Sequence, residues 1–403
     1  MRKHVLAYSP VPCAGCGACV ASCPKRAVEL KLNPDGFFSA VVDDDLCVDC
    51  GICQKVCLRF ADPADSTHVM QERSVYGVCS AHAEVQRTTT SGGFAYELAR
   101  WGLEQGYKIM GVVYDYETDQ ARTVVVDRLE GLELLKGSKY IQSDTSEAFT
   151  GLLEEAKRDR SMKYICVGTP CQIFGLRQLV RRHRLENEII YVDLFCHGVP
   201  SYKVWKPYVS QKREELGKLD QVQFRYKGNG WHQYTIRLVG ERGVYSEFAY
   251  KDLFYRYFFD NVALNASCFT CAFRKEYTAS DLRLGDFWGR CYEHREDGVS
   301  AVLAASERGL EVLSMLEREK KIVVDRIWEA EACLSAQSTE DYRGMELRNA
   351  VIDKLSRGES LRKVQRYYFN RLPWKNQLRS FLKRGATCLP NDWLVKVRRL
   401  VRS

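Results

Sequence analysis

The sequence predicts an α+β protein in three parts: a small cysteine-rich module over residues 1–62, an α/β domain over 63–335 and a basic helical extension over 336–403. Three observations lead there. Two cysteine runs of identical spacing lie within the first sixty residues. Apolar runs with strand character then alternate with helical patterns. Positive charge collects at the end: 16 Lys and Arg against 5 Asp and Glu follow residue 340, so the rest carries about −3 of the total +8.

A chain of 403 residues can build two or three separate cores. It has no run of about 18 apolar residues, so no spanning helix is expected. The opening MRKHVLAYSP lacks the apolar stretch of a signal peptide. A cytoplasmic location, extending to the inner membrane surface, is expected, where thiols stay reduced. There, 17 cysteines point to metal or cluster ligation over a disulfide framework.

In the first part, CAGCGACVASCP sets Cys13, Cys16, Cys19 and Cys23 in a C-x2-C-x2-C-x3-C-P run. CVDCGICQKVC repeats the spacing at Cys47, Cys50, Cys53 and Cys57, an internal duplication. This is the pattern of a bacterial two-cluster ferredoxin, in which the fourth cysteine of each run serves the other cluster. One [4Fe-4S] cluster therefore takes Cys13, Cys16, Cys19 and Cys57, and the other Cys47, Cys50, Cys53 and Cys23. Triplets closed by a crossed fourth ligand fit zinc poorly, since zinc sites favour two separated pairs. Gly15, Gly17 and Ala18 are small enough to let backbone amides approach the cluster sulfurs. Leu58 stands where proline is usual, and DGFFSAVVDDD reads as a turn and a short strand.

A polar connector from Ala61 to Arg73 leads into the second part. RTTTSGGFAYELARWGLEQGY reads as a loop opening an amphipathic helix, with Ser91, Gly92 and Gly93 where free amides favour an anionic group. An ordinary helix cap explains the same residues. KIMGVVYD is a buried-strand pattern. KYICVGTPCQIFGLRQLVRR is a strand, a turn and a helix, with Cys171 opening the helix. NEIIYVDLFCHGVPS is a strand delivering Cys196 and His197. Ligands of open α/β sheets gather outside the carboxyl ends of the strands, where Cys171 and Cys196 fall. Cys166, within a strand, reads as a core residue. His197 reads as a structural histidine or as a proton donor. QFRYKGNGWHQYTIRLVG looks like a β-hairpin and YKDLFYRYFFDNVAL like an aromatic helix.

The pair in SCFTCAFR, Cys268 and Cys271, lacks two ligands of a tetrahedral or cubane site. Cys171 and Cys196 are the candidates, making a third [4Fe-4S] site from three segments. Zinc suits such a pair as well, and a reversible dithiol is a further alternative.

TTTSGGFAYELA, LKGSKYIQS, VGTPCQIFGLR, DLFCHGVPS, SCFTCAFR and SDLRLGDFWG occur in that order. As a set they resemble the family of coenzyme F-420 hydrogenase/dehydrogenase beta subunits over about residues 10–300. The resemblance implies a flavoprotein with FAD and a [4Fe-4S] cluster in the α/β domain, fed by the ferredoxin-like module. It implies flavin contacts from Ser91, Gly92 and Gly93 and from Gly137, Ser138, Lys139 and Tyr140, with His197 near the flavin. Its cysteine-bearing motifs contain Cys171, Cys196, Cys268 and Cys271. The extension beyond the shared region is similar to that of bacterial members associated with surface-polysaccharide synthesis.

In the third part, VIDKLSRGESLRKVQRYYFNRLPWKNQLRSFLKR and DWLVKVRRLVRS mix apolar and basic residues at roughly helical spacing. Such helices pack on a domain, lie on an anionic membrane surface or bind an acidic partner. No recognition fold supports nucleic-acid binding. The expected function is an iron-sulfur flavoprotein oxidoreductase. It would pass electrons between the N-terminal clusters, the third cluster and FAD, to or from a small-molecule substrate and a redox partner (ferredoxin or an oxidoreductase subunit). The alternatives are an electron-relay subunit without its own substrate and an assembly protein with structural clusters.

Overall fold

The computed structural model describes residues 3–374, 377 and 378, apart from 186, 275, 335, 336, 338–341 and 343. In the N-terminal module each cysteine triplet runs into a short helix, α1 (Ala18–Ser22) and α2 (Ile52–Lys55). Between them, β1 (Val28–Leu32) and β2 (Phe38–Val42) pair antiparallel from Val28↔Val42 to Leu32↔Phe38. Their turn is closed by Asn33, whose Oδ1 accepts from the amides of Asp35 and Phe37. The expected turn and strand are both present.

The segment expected to be a polar connector is folded. β3 (His68–Val69) lies between two 3-10 turns and pairs with Tyr277–Thr278. Met70 is fully buried, and this apolar anchor holds the segment against the domain.

The second part starts with β4 (Ser74–Ser80), α3 (Ala83–Thr88), α4 (Phe94–Glu104), β5 (Tyr107–Asp115) and β6 (Gln120–Val126). There follow α5 (Leu129–Leu135), β7 (Ser143–Asp144), α6 (Ser146–Arg158), β8 (Lys163–Val167), α7 (Pro170–Arg182), β9 (Ile189–Leu194) and α8 (Tyr202–Leu216). Next come β10 (Leu219–Tyr226), β11 (Thr235–Gly240), β12 (Gly243–Phe248), α9 (Leu253–Phe259) and β13 (Tyr277–Thr278). The part ends with β14 (Leu282–Asp286), β15 (Ser300–Ala304), α10 (Glu307–Arg318), β16 (Ile322–Glu329) and α11 (Ala330–Leu334).

Nine strands form one mixed sheet in the order β16-β4-β15-β14-β9-β8-β5-β6-β7. Its centre, β14-β9-β8-β5, is parallel, as the apolar runs predict, and antiparallel pairs flank it. Alternate residues of β8 show why those runs are apolar throughout. Ile165 packs under α4 on one face, and Tyr164 and Cys166 under α6 and α7 on the other. Cys166 is a core residue, as expected.

The hairpin and the aromatic helix stand where the sequence placed them. β10, β11 and β12 form a separate antiparallel sheet that shares a core with α8 and α9. α12 (Met345–Ser356) and α13 (Leu361–Phe369) pack into that same core through Val351, Ile352, Leu361, Val364 and Tyr368. The described start of the extension therefore covers the domain, because its apolar stripe finds a protein surface. Residues from 379 on, with DWLVKVRRLVRS, lie outside the described residues. No described helix is long and apolar enough to cross a membrane.

The module and the domain share a tight seam. Ala18 and Val56 belong to the core of α6 and α7. Buried Gln142 accepts from the Phe38 amide (2.7 Å) and donates to the carbonyls of Ala14 (3.0 Å) and Phe38 (3.2 Å). Thr145 donates to the Cys16 carbonyl at 2.9 Å. Arg348 of α12 reaches Asp35 in the module's turn at 3.0 Å.

Candidate functional site

The two N-terminal cysteine runs fold across one another. Cys13, Cys16, Cys19 and Cys57 line one small cavity, and Cys23, Cys47, Cys50 and Cys53 line a second. The local loop supplies three thiols to each, and the fourth arrives from the other run. Amides point at the sulfurs: Gly15 N–H donates to Cys13 Sγ (3.4 Å) and Ala27 N–H to Cys23 Sγ (3.3 Å). Burial, the largest cause, pushes the thiols of Cys16 and Cys19 up and that of Cys57 to about 11. Such thiols ionise when a bound cation offsets the desolvation, as for metal ligands. Leu58, in place of the usual proline, packs beside Phe174 and Phe273 of the larger domain.

A third quartet forms around the carboxyl ends of β8 and β9. Thr169 caps α7 and donates its own amide to Gln172 Oε1, which sets Cys171 in the first turn, 3.3 Å from the Thr169 hydroxyl. Cys196 follows β9. The next loop residue but one, Gly198, faces Cys268, whose Sγ would lie 3.5 Å from a Cβ there. Burial, then the Cys196, Cys271 and Cys268 thiols, push Cys171 up. Burial likewise takes Cys196 to about 11 and Cys268 to about 12, each with neighbouring members of the set as further causes. Among the described residues no three His, Cys, Asp or Glu side chains converge as a single-ion site. The N-terminal quartets instead surround cavities.

Beside the third quartet lies a cavity of about 590 Å³. Its lining includes Ser91, Gly93, Gly137, Ser138, Lys139, Tyr140, Cys196 and His197. The sequence motifs thus meet in space although they come from separate segments. Gly92 does not share that lining. Its Cα is pressed between strands, where a Cβ would stand 2.3 Å from the Val78 carbonyl oxygen and 2.6 Å from Ser300 N, so it serves close packing. The Ser91 hydroxyl donates to the Val299 carbonyl. Lys227 holds the same loop by donating to the carbonyls of Gln86, Ser91 and Asp297. In the first turn of α4, buried Glu97 pairs with Arg100 at 2.7 Å and His82 at 3.0 Å, which compensates its charge there.

The Lys139 ammonium is not solvated at the surface. It donates to the carbonyls of Leu134, Leu135 and Lys136 at the end of α5, and burial pushes it down to about 7. His197 is packed against Phe258, Phe259 and Tyr342, with Nε2 2.7 Å from Asn261 Oδ1. Burial is the main cause that takes it down to about 4, so its ring is neutral near pH 7.

Several site residues were not foreseen from the sequence. Asp193 on β9 and Arg283 on β14 form a fully buried two-pronged pair at 2.6 Å, and Arg283 also holds the Phe273 carbonyl beside Cys271. Arg225 is buried over the Tyr234 ring, 3.5 Å from Asp286, and all three line the cavity. Arg274 lines it too, donating to the Cys268 carbonyl. The signal available was an arginine inside an otherwise apolar strand, as in DLRLGD, which calls for a buried acid partner.

Residues 12–61 match the 4Fe-4S dicluster domain model. Residues 161–329 match the model for the C terminus of the coenzyme F420 hydrogenase/dehydrogenase beta subunit. The coenzyme F420-dependent sulfite reductase of Methanocaldococcus jannaschii is 24% identical over 331 residues, which cover 78% of this chain and 47% of that protein. The F subunit of the F(420)H(2) dehydrogenase of Methanosarcina mazei is 25% identical over 230 residues, 54% of this chain and 63% of that protein. The chain thus spans about half to under two-thirds of these relatives. A chain of the F420-reducing [NiFe] hydrogenase complex from Methanosarcina barkeri aligns at 18% identity and a TM-score of 0.44, covering 77% of this chain and 94% of that one. That likeness is too loose to carry a structural argument. The two matches relate the chain to the iron-sulfur, electron-transfer beta subunits of coenzyme F420 hydrogenases and dehydrogenases, with a 4Fe-4S dicluster domain at its N-terminus.

Proposed function

We propose that this chain is an iron-sulfur flavoprotein oxidoreductase, in which three [4Fe-4S] clusters connect a redox partner to FAD and a small-molecule substrate. One observation carries this reading: motifs from six separate segments line one cavity, and Cys196 of the third quartet is part of its wall. The donor sets fit. Each N-terminal quartet is all thiol and is approached by amides, and the third unites half-buried cysteines from three segments. The cavity also fits a flavin. The amides at the start of α4 suit its phosphates, and Tyr140, Tyr234, Phe258 and Trp288 offer flat apolar walls.

When bound, a flavin supplies the exchange between one-electron and two-electron chemistry that clusters lack. The protein's own residues orient and enclose it. Ser91 and Gly93 would meet its phosphates, Gly137–Tyr140 would border the ring, and Arg225 would set positive charge at the far wall. His197, neutral and bound to Asn261, holds the Cys196 loop against the aromatic helix and excludes water. In this reading the four cysteines ligate iron and His197 is a support.

Anaerobic purification followed by iron, acid-labile sulfide and flavin analysis tests the proposal. About twelve irons and one FAD per chain are expected, falling to about eight irons in Cys268→Ala/Cys271→Ala. Eight irons in the unaltered protein, or no flavin, would sink it. Acceptors to be screened include a deazaflavin and sugar nucleotides; the surface-polysaccharide setting enters only as that second arm. A relay role without its own substrate is the second reading, favoured by the relative named as part of a dehydrogenase. A second chain that copurifies and is needed for turnover would decide for it.

A further inference from the structure

α7 touches both sides of one gap in the proposed electron path. It opens with Cys171 of the third quartet and then passes beneath the loop that carries Cys16. Cys171 and Gly175 are four residues apart and so share one side of the helix. A methyl group at Gly175 would stand 3.0 Å from Cys16 Sγ and 3.0 Å from Ala18 Cβ. Cys16 and Ala18 pack in the same core as Ile173, Leu176 and Leu179 of α7. Thr145 fixes the Cys16 carbonyl from α6's N-terminal side. Glycine is the poorest helix former after proline. Its place in the middle of a thirteen-residue buried helix weakens α7 and yields only one thing in return, room for the Cys16 loop.

We propose that Gly175 is a positioning residue for electron transfer. Its missing side chain lets the Cys16 loop settle on α7 and so sets the gap between the quartet of Cys13, Cys16, Cys19 and Cys57 and the quartet containing Cys171. The proposal rests on the reading that both quartets hold [4Fe-4S] clusters. One electron crosses this gap per event, oxidising one side and reducing the other, with no bond made or broken. The side chain at 175 controls distance and leaves ligation alone.

The test uses the anaerobically purified holoprotein in four forms: unaltered, Gly175→Ala, Gly175→Val and, on the exposed side of the same helix, Arg182→Ala. Iron per chain is measured first. Magnetic broadening between clusters after dithionite reduction and the rate of electron redistribution by rapid freezing follow. Iron should stay at about twelve throughout. Broadening and rate should decline from glycine through alanine to valine and stay unchanged in Arg182→Ala. If valine at this site costs iron, the alanine form decides, since its methyl asks the neighbours to give by only a few tenths of an ångström. Unchanged broadening and rate with twelve irons would overturn the positioning role and leave the three-cluster reading intact. Eight irons in the unaltered protein would overturn both.

Discussion

The N-terminal module and the α/β domain each gather cysteines into quartets, but by opposite means. In the module, three ligands of each set lie within seven residues and the duplicated run supplies the fourth, so the loop's own geometry does most of the work. In the domain, Cys171, Cys196 and the Cys268/Cys271 pair come from a helix start, a strand end and a loop between 3-10 turns. Nothing local holds them together. They meet because β8 and β9 are parallel neighbours, and because the Asp193–Arg283 pair ties β9, β14 and the Phe273 backbone at one point. A site built by tertiary structure should fail with the fold around it, and a site built by a local loop should outlast that failure.

The strongest way to break this contrast is Asp193→Ala. It leaves Arg283 buried without its acid and should cost about 3–5 kcal/mol. Denaturant unfolding would measure the loss, and iron analysis should show the third set emptied first while about eight irons remain. Equal loss from all three sets would erase the distinction between the regions. Gln142→Ala acts on the seam between them. It leaves the Phe38 and Ala14 backbone groups unsatisfied and should cost about 1–3 kcal/mol. Limited proteolysis should then release the module before the domain unfolds; a single unchanged transition would mean that the seam does not depend on this side chain.

The smallest expected effect concerns the loop beside the cavity. Lys227 is pushed from 10.5 down to about 8, mainly by burial. Between those values the unfolded chain holds a proton that the folded one has released, so the unfolded state binds more protons. Stability should therefore rise with pH from about 8 to 10.5, and the slope should flatten in Lys227→Met. A slope that persists in the variant would assign it to another group.

Legibility followed the same division. The crossed N-terminal ligands could be read from spacing alone, because seven-residue loops leave the chain few ways to wrap a cluster. The strands at KIMGVVYD, KYICV and NEIIYVDL were equally plain, since strands covered on both faces read as near-continuous apolar runs. Gly92 misled because a glycine before a helix looks the same whether it faces a ligand or a neighbouring strand. The connector misled because a single apolar residue, Met70, anchors it. Gln142, Asp193 and Arg225 could not be picked out, as a buried polar residue is recognised only by its partners, and theirs lie 104, 90 and 61 positions away in the chain.

The sequence by itself determined the composition of the molecule: a duplicated cysteine module, a parallel-centred α/β domain and a charged end. These follow from short-range spacing and periodicity, which a chain cannot hide. Tertiary structure alone decided that the module is seated on α7 with Cys16 against Gly175, and that six motifs face one cavity. Those outcomes depend on which faces of distant elements exclude water together, and burial is a property of the assembled fold that no single segment carries.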